Sequence, residues 1–419
     1  MHLIRFLTYP YPSNYKNSNT KYNVYESPNF EFYHYFQDDS IIIRLAQAAE
    51  QWYAMHQQVY RDTIKDRNPI IFDANHADFQ QTTAIFGSVG VGTGGVTEAL
   101  KNRVILPVTE TWAQTDHVLG HELVHAFQYN AIIHNDSTNL NNLNNLPLWM
   151  VEGMAEYLSI GSVDPHTAMW MRDAVFNNNF PTLSDMTKNA EYFPYRFGHA
   201  FWAFIGRTFG DSLIVPIFME TAKRGYDVAL KRYLGFNEKE FSDIWRNAYI
   251  EHYKMMMVDT VDNPAGTKVI DERNGGNINI SPAISPDGKY IAFYSEKNLF
   301  SIDLFLADAA TGKTFHKLSS TLHRNEIDAL NFIESAGAWS PDSKYFAYVA
   351  FGKGKNKLLV VDIERRRQEY EIEIPGVPSF NYPSWSPDGK SIVVSGLVDG
   401  RNELYQYYIE EKRVEQLTH

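Results

Sequence analysis

Residues 121–128 read HELVHAFQ, and this stretch decides how the N-terminal half of the chain folds. His121 and His125 are four positions apart, so on a helix they lie on one face and point at one place in space. Glu122 projects beside them, where a carboxylate can exchange protons with a water molecule at a metal. The surrounding apolar residues predict a buried helix. Because buried histidines and glutamates are costly without partners, the pattern favours a metal site over a solvated helix face.

A second segment, residues 147–157, reads PLWMVEGMAEY and supplies a third ligand on another predicted helix. Catalytic zinc keeps three protein ligands and one open position, so Glu152 is the candidate that completes one Zn²⁺ site per chain. Glu156 follows one turn later on the same face, where we expect it to accept a hydrogen bond from the outer nitrogen of His121 or His125. A surface carboxylate is the alternative. The small Gly153 predicts close approach of this helix to the first.

The two segments resemble the gluzincin metallopeptidases, and closely their peptidase MA-like branch, whose pattern is HELxHxxQ followed by WxxEGxAEY. The resemblance spans roughly residues 24–258. It implies an α+β zincin-like domain, with a small mixed sheet and a helical subdomain. It also implies that His121, His125 and Glu152 bind zinc and that Glu122 is the general base.

The resemblance further implies a substrate strand. The stretch at residues 103–107 is similar to the family's edge strand, so Val104, Ile105 and Leu106 are expected to hold a peptide by strand addition. Just before it, residues 87–95 contain five glycines. This segment lacks the Lys-Ser/Thr of a phosphate-binding loop and predicts a flexible loop.

The oxyanion stabiliser is predicted less directly. Family members carry a tyrosine before a G-x-x-F helix, and Tyr195 precedes such a pattern at residues 198–201. Tyr195 is therefore the candidate, with His199 and Tyr192 as rivals. The chain has 26 tyrosines, so ordinary core packing of Tyr195 is an equally open alternative.

The last third of the chain contains an internal repeat. Residues 285–289 read SPDGK, residues 340–344 read SPDSK, and residues 386–390 read SPDGK. A Pro-Asp-Gly turn between strands at a period near 45 residues is typical of a β-propeller blade. The units resemble the TolB-type, WD40-like (PD40) repeat, which implies an all-β, incomplete propeller of about three blades. Three blades cannot close a ring, so we expect this sequence to be the N-terminal part of a longer protein.

Composition bounds the remaining possibilities. The 419 residues carry a formal net charge of −12, which disfavours nucleic acid as a partner, and the absence of cysteine excludes disulfides and thiol nucleophiles. No apolar run reaches the length of a transmembrane segment. The predicted organisation is an irregular lead-in (1–23), a multidomain body made of a gluzincin-like domain (24–258), a linker (259–275) and propeller blades (276–419).

The predicted function is that of a zinc-dependent metallopeptidase that hydrolyses peptide or protein substrates. The propeller would bind the substrate or an envelope protein partner, an expectation by fold analogy. The alternative is a non-catalytic envelope scaffold that retains a zinc site. The architecture resembles exported proteins, so we expect a periplasmic location even though no signal peptide is visible. A cytoplasmic location is the alternative.

Overall fold

A computed structural model describes residues 21–82, 89–133, 137–256, 266–298, 301–319, 327–333 and 335–419. The chain divides into a helical part, residues 21–256, and a β part, residues 266–419. The predicted change from mixed structure to all-β structure is thereby confirmed. Residues 1–20 of the predicted lead-in and residues 259–265 of the predicted linker lie outside the described residues.

The helical part begins with a five-stranded sheet in the order β1-β2-β3-β5-β4. The three inner strands are parallel, and the two outer strands pair with them antiparallel. The strands are β1 (Asn23–Glu26), β2 (Phe30–His34), β3 (Asn68–Asp73), β4 (Val96–Glu98) and β5 (Arg103–Pro107).

This sheet corrects the predicted edge strand. β5 lies inside the sheet between β3 and β4, and Val104, Ile105 and Leu106 are each 0% exposed. Strands that are buried on both faces are continuous apolar runs, and residues 104–106 form such a run. The three residues therefore belong to the core, and the sheet edge that contacts the candidate site is β4.

Ten α-helices are assigned among the described residues. They are α1 (Asp39–Tyr60), α2 (His76–Phe79), α3 (Trp112–Ile133), α4 (Leu148–Ile160), α5 (Pro165–Phe176), α6 (Leu183–Lys188), α7 (Pro194–Phe209), α8 (Ile214–Arg224), α9 (Tyr226–Leu234) and α10 (Glu238–Met256). Local chemistry sets several helix starts: Asp38 caps α1, Asp164 caps α5 ahead of Pro165, and Thr182 forms a capping box at α6. No single described helix has both the length and the apolar composition of a membrane span; α7 with residues 211–224 meets the criterion only as a pair bent by 119°.

The helix α3 lies at the centre of the helical part and packs against α1, α4, β4 and β5. Gly153 on α4 does not face α3, as the sequence suggested, but faces Gly198 on α7. A Cβ atom on either glycine would overlap the backbone of the opposite helix. The close approach is thus between α4 and α7, and it holds α4 and its acidic side chains in place beside α3.

The β part consists of three antiparallel sheets among the described residues, one for each repeat. Their strands are β6 (Asn279–Ile284), β7 (Tyr290–Asn298), β8 (Ser301–Asp308), β9 (Thr314–Ser319), β10 (Ala329–Leu330), β11 (Ala338–Trp339), β12 (Tyr345–Gly352), β13 (Lys355–Asp362), β14 (Arg367–Ile372), β15 (Ser379–Trp385), β16 (Ser391–Val398), β17 (Arg401–Tyr408) and β18 (Arg413–Gln416). The repeated segments at 285–289, 340–344 and 386–390 are the turns into β7, β12 and β16.

A repeated tryptophan contact joins neighbouring sheets. Trp339 donates a hydrogen bond to the carbonyl of Ala283 in the preceding sheet, at 2.9 Å, and stacks on Tyr290. Trp385 makes the corresponding bond to Ala338, at 3.2 Å. Because equivalent residues meet at both junctions, successive sheets pack in the same way.

The helical and β parts share a polar surface. The side-chain amide of Asn381 donates to Glu110 Oε1 at 2.6 Å, and that of Asn402 donates to the Glu110 carbonyl at 2.8 Å. Leu397 joins the apolar core of the helical part. Glu110 lies two residues before α3, so the β part contacts the approach to the helix that carries the HELVH segment.

Candidate metal centre

Three predicted ligands converge between α3 and α4. His121 Nε2 lies 3.2 Å from His125 Nε2, and Glu152 Oε2 lies 3.2 Å from the first and 3.3 Å from the second. Helical spacing places the two imidazoles one above the other, and α4 brings the carboxylate to them. Two imidazole nitrogens and one carboxylate oxygen at these separations form a group that could hold a metal ion.

The electrostatics of this group favour a cation. Burial alone lowers the pKa of His121, but Glu152 and Glu156 outweigh it and raise that pKa to about 10. Burial likewise disfavours the charge on Glu152, yet the neighbouring histidines hold the pKa of its carboxyl below the usual range. The carboxylates thus attract positive charge to the point where the three donor atoms meet.

The carboxylate of Glu156 lies behind His121. Its Oε1 atom is 3.1 Å from His121 Nδ1 and 3.3 Å from His117 Nε2. Its Oε2 atom accepts a hydrogen bond from Arg196 at 2.9 Å, and the same guanidinium group contacts Asp164. Glu156, the predicted partner of a histidine ligand, is therefore in contact with His121. Arg196 on α7 holds the Glu156 carboxylate in this position.

Gln128 makes the matching contact to His125, and sequence reasoning assigned it no role. Its Oε1 atom is 2.8 Å from His125 Nδ1, and its amide nitrogen donates to the carbonyl of Val151 at 3.1 Å. An amide anchored in this way fixes the ring orientation and leaves Nε2 for a metal. The glutamine at the end of the HELxHxxQ pattern was the available signal.

Glu122 is 6% exposed and is held from the side of β4. Thr97 donates its hydroxyl to Glu122 Oε2 at 2.6 Å. Gly95 lies against the same side chain, because a Cβ atom there would be 2.8 Å from Glu122 Cγ and Oε1. Neither Thr97 nor Gly95 was predicted, since both reach the site through the pairing of β4 with β5.

The structure distinguishes the three candidates for the oxyanion role by position. The ring of Tyr195 stacks on His121 at a centroid distance of 5.8 Å. Burial, and then the nearby carboxylates of Glu152 and Glu122, raise the pKa of its hydroxyl. His199 instead contacts the carbonyl of Gly161 through Nε2 at 2.7 Å. The hydroxyl of Tyr192 donates to Asn179 at 2.9 Å. Only Tyr195 of these three lies at the metal centre.

The comparison with protein families points to the same segment. Residues 84–180 match the family model described as BSP, peptidase of plants and bacteria. The match is less than a quarter of the chain, but it includes all three candidate ligands and Glu122. It indicates a peptidase-related function for the helical part. A search of curated proteins gave no match.

Solved structures are similar to the chain only over part of its length. TolB from Acinetobacter baumannii is 23% identical, with a TM-score of 0.30, and the match covers 38% of this chain and 36% of that one. The putative TolB from Agrobacterium tumefaciens is 20% identical, with a TM-score of 0.28 and coverages of 33% and 45%. The β-propeller domain of the Trilobed protease from Pyrococcus furiosus is 15% identical, with a TM-score of 0.24 and coverages of 34% and 42%. The chain therefore spans less than half of each, and these likenesses carry no functional argument.

Proposed function

We propose that this chain is a zinc-dependent peptidase of the gluzincin type. The observation that carries the proposal is the meeting of His121 Nε2, His125 Nε2 and Glu152 Oε2 within 3.3 Å of one another, next to the buried carboxylate of Glu122. The donor set fits zinc, and both histidines have partners that orient their outer nitrogens. The family match supports peptide or protein as the substrate.

The chain's own residues supply the proton chemistry. A zinc ion held by these ligands would polarise the scissile carbonyl and make water more acidic. Glu122 would accept the proton of the attacking water and then give it to the leaving amine, while Thr97 keeps the carboxylate in place. Tyr195 would donate its hydroxyl hydrogen to the oxygen that gains negative charge; its contact with His121 and the raised pKa of its hydroxyl support this role.

The substrate would lie along β4. This strand is the sheet edge nearest the metal centre, and among the described strands it pairs only with β5. Its outer backbone groups are thus available to an extended peptide, which would add to the sheet as a further strand. Thr97 in the middle of β4 hydrogen-bonds Glu122, so a peptide bound there passes beside the general base.

The test compares the purified, zinc-loaded protein with Glu122→Gln. We expect equal zinc content by elemental analysis and a loss of hydrolysis of at least ~100-fold, since Glu122 transfers the proton but binds no metal. A diverse peptide mixture read by mass spectrometry reports the cleavage. Glu251→Gln is the matched control, because that glutamate is exposed on α10.

Equal hydrolysis by wild type and Glu122→Gln would contradict the assignment of the base. Bound zinc with no cleavage by any variant would contradict the peptidase proposal. That second result would favour the zinc-bearing scaffold instead.

A further inference from the structure

The glycine-rich segment, residues 89–95, lies between the β part and the general base. A Cβ atom on Gly92 would be 3.4 Å from the Cδ1 atom of Ile333, which lies between two strands of the middle sheet of the β part. Further along, Gly94 packs against Val118 of α3, and Gly95 packs against Glu122. The segment thus runs across α3 from Ile333 to Glu122 and continues directly into β4.

Ile333 is an exposed apolar side chain at this junction. It lies between β10 and β11 and is 52% exposed. The junction is fixed on both sides: Gln81 donates to the carbonyl of Gly354 in the β part at 3.1 Å, and His76 Nε2 is 3.1 Å from the carbonyl of Thr93 in the glycine-rich segment. Ile333 lies at this junction, against the segment that leads to β4.

The distance from Glu122 to Ile333 is short enough for one bound peptide to contact both residues. Gly92 and Gly95 are three residues apart, so at most about 11 Å separates them. Adding one side-chain contact at each end places Ile333 within roughly 20 Å of the Glu122 carboxylate. An extended peptide rises about 3.3 Å per residue, so a substrate residue about three to six positions from the scissile bond can contact Ile333.

We propose that Ile333 forms an apolar specificity subsite, contributed by the β part, for peptides bound along β4. Burial of its exposed face by an apolar substrate side chain gives the β part a direct role in selecting substrates. This inference rests on the proposed peptidase function. It deepens that function because it assigns substrate selection to a residue outside the family match.

The experiment uses the full chain loaded with zinc and a peptide library randomised at six positions on each side of the cleaved bond. Ile333→Asp places a charge at the proposed subsite. Tyr370→Asp is the control, because Tyr370 is also exposed and lies on β14, at the opposite edge of the same sheet from β10. Mass spectrometry of the products gives kcat/KM for each residue type at each position.

We expect Ile333→Asp to lower kcat/KM about tenfold for peptides with an apolar residue at one position, three to six residues from the scissile bond. Basic residues at that position should become favoured, and Tyr370→Asp should keep the wild-type profile. Short peptides that do not reach Ile333 should be cleaved equally by all three proteins. An Ile333→Asp profile identical to that of an active wild type overturns the inference and leaves the peptidase proposal standing. A zinc-loaded wild type that cleaves nothing overturns both.

Discussion

Gly95 leaves room for the proposed general base, and its replacement by alanine tests how closely Glu122 must be positioned. A Cβ atom at residue 95 would lie 2.8 Å from both Cγ and Oε1 of Glu122, where 3.4 Å begins ordinary contact. The glutamate would have to move by about 0.6 Å. It is not free to do so, because Thr97 donates a hydrogen bond to its Oε2 atom at 2.6 Å.

The expected magnitude follows from the sensitivity of catalysis to position. A displacement of 1 Å can cost about 100-fold in rate, so a movement near 0.6 Å should lower kcat by roughly tenfold, or about 1.4 kcal/mol. Zinc affinity should not change, since the three atoms nearest to the added Cβ all belong to Glu122 and not to a proposed ligand. Stability should not rise, because the overlap with Glu122 opposes the gain that alanine brings by restricting the unfolded chain.

The assay measures kcat, zinc affinity and thermal unfolding for Gly95→Ala and for Gly90→Ala. The second variant adds the same methyl group in the same segment, where its nearest neighbour would be 3.7 Å away, and it should behave as wild type. A Gly95→Ala enzyme with wild-type kcat would refute the reasoning that the glycine makes space for the base. An equal loss in both variants would refute it as well, since the effect would then be general to the segment.

Two further predictions concern groups that the sequence did not single out. Gln128→Leu should weaken zinc affinity about 10- to 100-fold in a chelator competition, while Gln128→Glu, which keeps an acceptor for His125, should retain most of it; equal affinities would exclude an orienting role. Burial, and then the charge of Asp78, raise the pKa of Asp73 from 3.8 to about 7. Across that pH range the folded protein binds the Asp73 proton more tightly than the unfolded chain does, so this group lowers the free energy of unfolding as pH rises from about 4 to 7. In denaturant unfolding, Asp73→Asn should match wild type at pH 4 and exceed it at pH 8 by up to about 4 kcal/mol; a constant difference across pH would contradict this origin.

The β part illustrates how far a repeat in sequence predicts structure. The SPDGK segments placed the turns, and the apolar runs after them placed the long strands, because a turn requires particular backbone angles and a buried strand requires apolar side chains. The contacts between sheets were not predictable in the same way. Trp339 and Trp385 were visible as repeated residues, but their hydrogen bonds to Ala283 and Ala338 depend on how one sheet lies on the next.

For β5, which the sequence analysis predicted to be the substrate strand, the strand was predicted correctly but its place in the sheet was not. Residues 103–107 had the right composition for a strand, and the prediction of a strand was confirmed. Its assignment to the sheet edge was wrong, because a three-residue strand, β4, covers it. The local residue pattern predicts that a strand is buried. The order of strands in a sheet depends on long-range pairing, which cannot be predicted from a segment as short as residues 96–98.

The sequence by itself predicted the three side chains that meet at the candidate metal centre, because helical periodicity brings His121 and His125 together and Glu152 lies on a second apolar helix. It also determined the all-β character of the last third, through the repeated turns. Only the tertiary structure decided that Thr97, Gly95 and Gln128 surround the site and that Ile333 lies against the path to β4. These contacts join residues that are distant along the chain or on different elements, and their distances are set by packing rather than by any local period.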